Sequence, residues 1–215
     1  MTTDLSIQQD IEKELSWDPA VSHKHVAVAV KSSAVTLIGD VANYPEKCAA
    51  AAAAWRVAHV KSVANNIRVD LAFPSERSDD DIALAAMSML EWNCVVPATV
   101  EVQVADSVLT LLGAVNWHFQ KEAAELTLTS LTGIKGIKNE IKLQPEPHAA
   151  DVRPGIEEAI KRSALVDSSH VKAHAGHGVA SLRGAVRTHA EFAEAMHAAW
   201  CAPGVTSVED HITIG

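Results

Sequence analysis

The chain has 215 residues and carries 27 acidic against 18 basic side chains, which gives a formal net charge of −9. This balance disfavours nucleic acid and anionic lipid as partners of the whole surface, because both require clustered lysine and arginine. The longest apolar run, residues 48–55, is far shorter than the roughly 20 residues of a membrane-spanning helix. The first residues lack the basic start and apolar centre of a secretory signal, so we expect a cytoplasmic protein without a transmembrane segment.

The N-terminal third of the chain predicts five elements. An amphipathic helix comes first, because apolar residues recur at every fourth position; they are Ile7, Ile11 and Leu15. Two strands joined at Ser32-Ser33 follow, and the second has four residues on one face; these are Val35, Leu37, Gly39 and Val41. A second helix begins near Pro45, which suits a first helical turn, and a final strand covers about residues 63–71.

The same order of elements is predicted twice more. Helix stripes recur in both later parts, as Ile82, Ala86 and Leu90, and as Ile156, Ile160 and Ala164. Residues 99–104 alternate as a strand with one covered face should, and short turns are predicted at 105–107 and 175–178. Final strands are expected at about 137–143 and 208–214.

Three glycines establish that these parts are copies of one unit. Gly39, Gly113 and Gly184 each lie in an apolar-x-Leu-x-Gly-x-Val pattern or a close variant of it. Each is followed at the same interval by a V-x-x-V-x-N/D ending or its isoleucine variant, which begins at Val60, Ile134 or Val205. We therefore predict three modules, at 1–72, 78–144 and 151–215, with linkers at 73–77 and 145–150. A glycine on an apolar strand face indicates close approach of a helix backbone or a bend in the strand.

These strands and endings resemble those of the BON family, the bacterial module named after osmotically inducible and nodulation proteins. The resemblance implies an α+β fold of three tandem αββαβ modules, each a small three-stranded mixed sheet covered on one face by two helices. It also implies a non-enzymatic binding protein without a cofactor, associated with osmotic or other stress. Its implied partners are a small cation such as potassium, a phospholipid surface or another protein. A self-assembling structural or chaperone-like protein is the alternative.

Charge is unevenly distributed over the three modules. The net charges are −1 for residues 1–77, −6 for residues 78–150 and −2 for residues 151–215. Asp79, Asp80 and Asp81 head the acidic middle module and are candidate cation ligands. They also suit the start of a helix, since Ser78-x-x-Asp81 resembles a capping box and carboxylates favour the positive end of the helix dipole.

Histidine and tryptophan supply the remaining candidate sites. His170, His174 and His177 lie close together in the sequence and are a candidate transition-metal site, although the typical zinc spacing is absent. Trp17 and Trp92 end the first helices of their modules, Trp55 and Trp200 lie near the ends of the second helices, and Trp117 follows a strand of the middle module. These tryptophans either complete the cores of small modules or form an apolar surface for lipid or a protein partner. No recurring catalytic constellation is found, so an enzyme is not expected.

Overall fold

A computed structural model describes residues 3–71, 75–144, 153–163, 170–176 and 178–215. The chain divides into two compact units, one of residues 1–115 with 120–142 and the other of residues 116–119 with 143–215. The first unit contains the first copy of the repeat and most of the second, and the second unit contains the third copy with residues 116–119 of the second. Among the described helices, none has the length and apolar character needed to cross a bilayer.

The first copy consists of two helices and a three-stranded sheet. Its elements are α1 (Asp4–Trp17), β1 (Val26–Lys31), β2 (Ala34–Val41), α2 (Tyr44–Arg56) and β3 (Ser62–Val69). β1 pairs antiparallel and β3 parallel with the central β2, so the sheet is mixed. The predicted stripe of α1 and three alanines of α2 share one core with the sheet, in which α1 packs on β1, and α2 packs on β2 and β3. Small alanine side chains let α2 lie close to the sheet.

The middle copy has the same plan with one interruption. Its elements are α3 (Asp79–Glu91), β4 (Val100–Ala105), β5 (Val108–Val115), α4 (His118–Leu128), β6 (Gly136–Asn139) and β7 (Lys142–Leu143). The predicted single strand at 137–143 is therefore two short strands, both paired with β5, and this sheet has four strands in place of the expected three. Burial of Ile82, Leu109 and Leu111 confirms the predicted helix stripe and strand face.

The third copy repeats the arrangement in the second unit. It comprises α5 (Arg153–Arg162), β8 (Val171–Gly176), β9 (Val179–Val186), α6 (His189–Trp200) and β10 (Ser207–Ile214). β9 is the central strand, with β8 antiparallel and β10 parallel to it. Ile156 and Ile160 are buried as predicted, whereas Ala164 lies outside the described residues. The predicted α+β class and αββαβ order are thus confirmed.

The repeated glycines lie against the backbone of a neighbouring strand. A Cβ atom at Gly39 would overlap the carbonyl oxygen of His25, just before β1, and a Cβ at Gly113 would overlap that of Thr99. Gly184, the third glycine, has positive φ at +147° like the others. The expected crowding is confirmed, but the predicted helix backbone as the crowding group is wrong. The space that a Cβ atom would need is occupied by the antiparallel partner strand, β1 or β4, because the first residue of that strand pairs with the glycine.

Candidate functional site

The acidic cluster at the start of α3 is largely engaged within the protein. Oδ2 and Oδ1 of Asp79 accept hydrogen bonds from the amides of Asp106 and Ser107, each at 2.9 Å. The Ser78 hydroxyl donates to Asp81 at 2.6 Å and accepts from its amide at 3.2 Å, which confirms the predicted cap. Asp80 is exposed. Two of the three candidate cation ligands therefore hold the helix and the β4–β5 turn, while a ligand for Asp80 stays a prediction.

The histidine candidates do not form a described metal site. His174 is exposed on β8, His170 precedes that strand, and His177 lies outside the described residues. Within the part of the chain that the structure describes, no group of three or more histidine, cysteine, aspartate or glutamate side chains is placed to hold a metal ion. The transition-metal hypothesis for the complete histidine set stays a prediction.

A buried glutamate recurs at a position that the sequence analysis overlooked. Glu46 of α2 accepts hydrogen bonds from the amides of Ser22 at 2.7 Å and Ala42 at 3.4 Å. Glu191 of α6 accepts from the amide of Arg187 at 3.0 Å. Both follow their repeat glycine by the same interval, and Gln120 occupies the place in the middle copy. A search for polar residues at constant distance from the glycines would have found them.

The polar residue in the V-x-x-V-x-N/D ending connects the last strand to the second helix. Asn65 donates to the carbonyl of Lys47, and Asn139 donates to the carbonyl of Lys121, each at 2.9 Å. Their side-chain oxygens accept from amides two residues later, as Asp210 does in the third copy. The repeated asparagines are thus structural, and sequence periodicity alone did not reveal their partners.

A contact between the first two copies, inside the first unit, involves two polar groups of α2. Burial raises the pKa of Tyr44 well above its ordinary value, and the neighbouring Cys48 thiol and Glu125 carboxylate raise it further. Burial likewise raises the pKa of Cys48. Both groups therefore stay protonated near neutral pH, and the Cys48 thiol is not activated as a nucleophile.

The tryptophans divide between the two predicted interpretations. Trp55 and Trp200 are half-buried and pack against the cores of the first and third copies. Trp17 and Trp92, in contrast, are 85% and 88% exposed. Trp117 is also partly exposed, with its ring 6.4 Å from that of Phe119. The core interpretation therefore holds for the tryptophans of the second helices and is wrong for those that end the first helices.

An exposed apolar surface distinguishes the middle copy from the other two. Leu84 and Met87, one turn apart on the outer side of α3, are 68% and 51% exposed. Val95 and Trp92 are exposed beyond the end of the helix. We call these four side chains the α3 patch. At the places of Leu84 and Met87 the first copy has Gln9 and Glu12, and the third has Glu158 and Lys161. Leu84 and Met87 are therefore specific to the middle copy, whereas Trp92 has an exposed equivalent, Trp17, in the first copy.

A groove of about 620 Å³ lies next to the α3 patch, between α3, the connection 96–98 and β4. Its apolar lining includes Met87, Leu90, Val100 and Val102. Two acidic residues, Glu91 and Glu101, also line it. Apolar walls with a few charged groups are typical of a binding site.

Comparisons with known proteins agree with the repeat. A family model described as BON domain matches residues 3–70, 78–145 and 149–215. A structure of CdsD, a structural protein of the type III secretion system of Chlamydia trachomatis, is 16% identical and covers 96% of this chain and 91% of its own, with a TM-score of 0.28. A structure of the CdsD C-terminal domain is 15% identical over 99% of both chains, with a TM-score of 0.27. These low scores support no argument about function. No curated protein matches the sequence.

Proposed function

Because the chain belongs to the BON domain family, in which a binding or structural role is expected, we propose that it is a non-enzymatic protein that binds protein partners through the α3 patch. The observation that carries this proposal is the exposure of Leu84 and Met87 on α3 and of Trp92 just after its end. Large apolar side chains grouped on a monomer's surface mark interaction sites, and tryptophan is enriched at the centres of such contacts.

Charge favours a protein over a lipid surface as the partner. The patch belongs to the module with net charge −6, which anionic headgroups would repel. Glu91, at the end of α3, and Glu101, on β4, add exposed negative charge near the apolar side chains. A partner that combines apolar and basic groups satisfies both features of this surface.

Potassium has weaker support as the ligand. The acidic side chains that could attract it, Asp79 and Asp81, already accept hydrogen bonds from the protein itself. Backbone carbonyls could still form a potassium site, and osmotic-stress association and a cytoplasmic location stay predictions from the family resemblance and the sequence.

The proposal can be tested by panning the full chain against a display library of random peptides. We expect the wild type and the Trp17→Ser variant to enrich the same peptides, and the Trp92→Ser variant to enrich few of them. Trp17 is the matched control, because it lies at the equivalent helix end and is similarly exposed.

Two parallel measurements address the competing functions. Sedimentation with anionic phospholipid vesicles tests the lipid surface, and calorimetry with potassium chloride tests the cation. Absence of peptide enrichment, together with vesicle binding or heat from potassium, would contradict the proposal. Growth of the free protein into large assemblies, seen by light scattering at working concentration, would instead favour the self-assembling alternative.

A further inference from the structure

We propose that the groove beside β4 binds an extended cationic segment of the partner, which adds a strand to the middle sheet. This inference rests on the protein-binding function proposed above and specifies the chemistry of its ligand. Three features lead to it: β4 is an edge strand, its apolar side chains are incompletely covered, and its acidic side chain, Glu101, lies exposed at the groove.

The outer edge of β4 presents backbone hydrogen-bonding groups. The middle sheet has β4 at one end of the order β4-β5-β6. The amide of Val100 donates to the carbonyl of Pro97 at 3.1 Å and so points away from β5. Backbone groups alternate in direction along an antiparallel pair, so those of Val102 also point outward. An extended peptide at this edge would therefore meet both a donor and an acceptor.

Coverage of this strand differs among the copies. Val100 and Val102 are half-buried in the middle copy. Their equivalents in the other copies are buried, namely Val26 and Val28 in the first copy and Val171 and Ala173 in the third. The first copy also buries Val21, from the connection between α1 and β1. In the middle copy, the apolar side chains of this edge strand therefore stay partly exposed, whereas the other two copies bury the equivalent side chains.

The side chains of β4 specify the pattern of the ligand. Val100, Glu101 and Val102 all line the groove, and Glu101, whose side chain alternates in direction with those of the two valines, is exposed. An added strand has side chains that alternate in the same way. Its apolar residues would cover Val100 and Val102, and a lysine or arginine between them would lie beside Glu101. Opposite charges on directly paired residues stabilise a strand pair.

The equivalents of Glu101 restrict this ligand to the middle copy. The first copy has Ala27 at this position, and the third copy has Lys172, which would repel a cationic strand. Pairing of β4 with β4 of a second molecule is also disfavoured, because the two-fold axis would bring Glu101 near its own mate. A cationic partner segment fits the site better than a second copy of the chain.

The test uses a capped, fluorescently labelled peptide of about ten residues in which valine and lysine alternate, a length that matches a strand. One control peptide has the same composition with the valines and lysines in separate blocks, and another has glutamate in place of lysine. Fluorescence anisotropy with the full chain should show binding of the alternating peptide, weakened by salt. Amide hydrogen exchange over residues 100–105 should slow when this peptide binds.

Two variants and a matched control test the site. Glu101→Lys should weaken binding about tenfold, because it replaces an attractive charge pair by a repulsive one. Val102→Pro removes an outward amide and should also weaken binding, while the bonds from β4 to β5 remain. Glu140→Lys makes the same charge change beyond β6, at an exposed position of the middle copy, and should have little effect.

Failure of this inference can be separated from failure of the proposed function. Equal binding of the alternating and block peptides, or insensitivity to Glu101→Lys, would overturn the strand-addition model. Library peptides that need Trp92 but tolerate Glu101→Lys would do the same while supporting the protein-binding function. If neither the designed peptide nor any library peptide binds, both proposals are wrong.

Discussion

The amide of Ser107 donates a hydrogen bond to Oδ1 of Asp79 at 2.9 Å, which connects the start of α3 to the turn between β4 and β5. Asp106 and Ser107 both have positive φ, 53° and 63°, as a tight two-residue hairpin turn requires. In the first copy, Asp4 accepts from Ser32 and Ser33 in the same way. The third copy has Arg153 at this position, and an arginine side chain provides no hydrogen-bond acceptor.

Replacement of Asp79 by alanine should destabilise the middle copy by about 1 kcal/mol, since two amides of the turn lose their acceptor but remain accessible to water. Urea unfolding and faster amide exchange at residues 105–108 would measure this loss. Asp80→Ala is the control, because Asp80 is exposed and has no described bond to the turn. Equal effects of the two substitutions would contradict the structural role of Asp79.

The pH dependence of the free energy of unfolding should reveal how much the Asp4 carboxylate stabilises the fold. Its pKa lies below the ordinary value of 3.8, because the amides of Ser33 and Ser32 donate to its carboxylate. A lowered pKa in the folded state means that the stabilisation is complete above the unfolded pKa and is lost as pH falls through the folded one. Asp4→Asn should therefore be less stable than wild type at neutral pH, and the difference should shrink in acid. Melting curves from pH 2 to pH 7 would test the trend, and a constant difference would contradict it.

The glycine of the repeat should not tolerate a side chain. Gly113→Ala should cost about 3 kcal/mol, because the new methyl group overlaps the Thr99 carbonyl and φ is +106°. Gly136→Ala is the matched control in β6, since a Cβ there would approach the Val108 side chain only to 4.0 Å. Denaturant unfolding of both variants would measure the contrast. Similar stabilities would mean that the backbone adjusts at Gly113.

The sequence predicted those features that depend on local pattern. The spacing of Ile82 and Leu90 indicated a helix face, and Ser78 with Asp81 indicated its cap. The same pattern could not identify the carbonyl of His25 as the neighbour of Gly39, because that contact depends on the path of another strand. Nor could it predict the groove. Val100 and Val26 occupy equivalent positions in the repeat, yet Val26 is buried and Val100 is half-buried.

The buried glutamate of the first copy should be more sensitive to truncation than to amidation. Glu46→Ala would leave the amides of Ser22 and Ala42 without their acceptor and should cost about 2 kcal/mol. Glu46→Gln keeps one oxygen for the shorter bond and should cost less, consistent with Gln120 at the equivalent place. Thermal unfolding of both variants would test this order. A larger loss for Glu46→Gln would show that the negative charge itself is required.

The two asparagines of the repeat ending should respond differently to aspartate. Asn139 donates both to the carbonyl of Lys121 and to Oε2 of Glu125, the latter at 3.1 Å. Asn139→Asp would remove both donors and place two carboxylates together, with an expected loss of about 2 kcal/mol near neutral pH. Asn65→Asp loses only the bond to the Lys47 carbonyl, because Ala51 occupies the place of Glu125.

The difference in stability between the Asn139→Asp and Asn65→Asp variants should depend on pH. Crowding by Glu125 raises the folded-state pKa of the carboxyl group introduced at Asn139, so its protonation in acid restores a donor and relieves the repulsion. The stability gap between Asn139→Asp and Asn65→Asp should therefore narrow as pH falls from 7 to about 4. Urea unfolding at several pH values would measure it. A gap that stays constant would assign the loss to the hydrogen bonds alone.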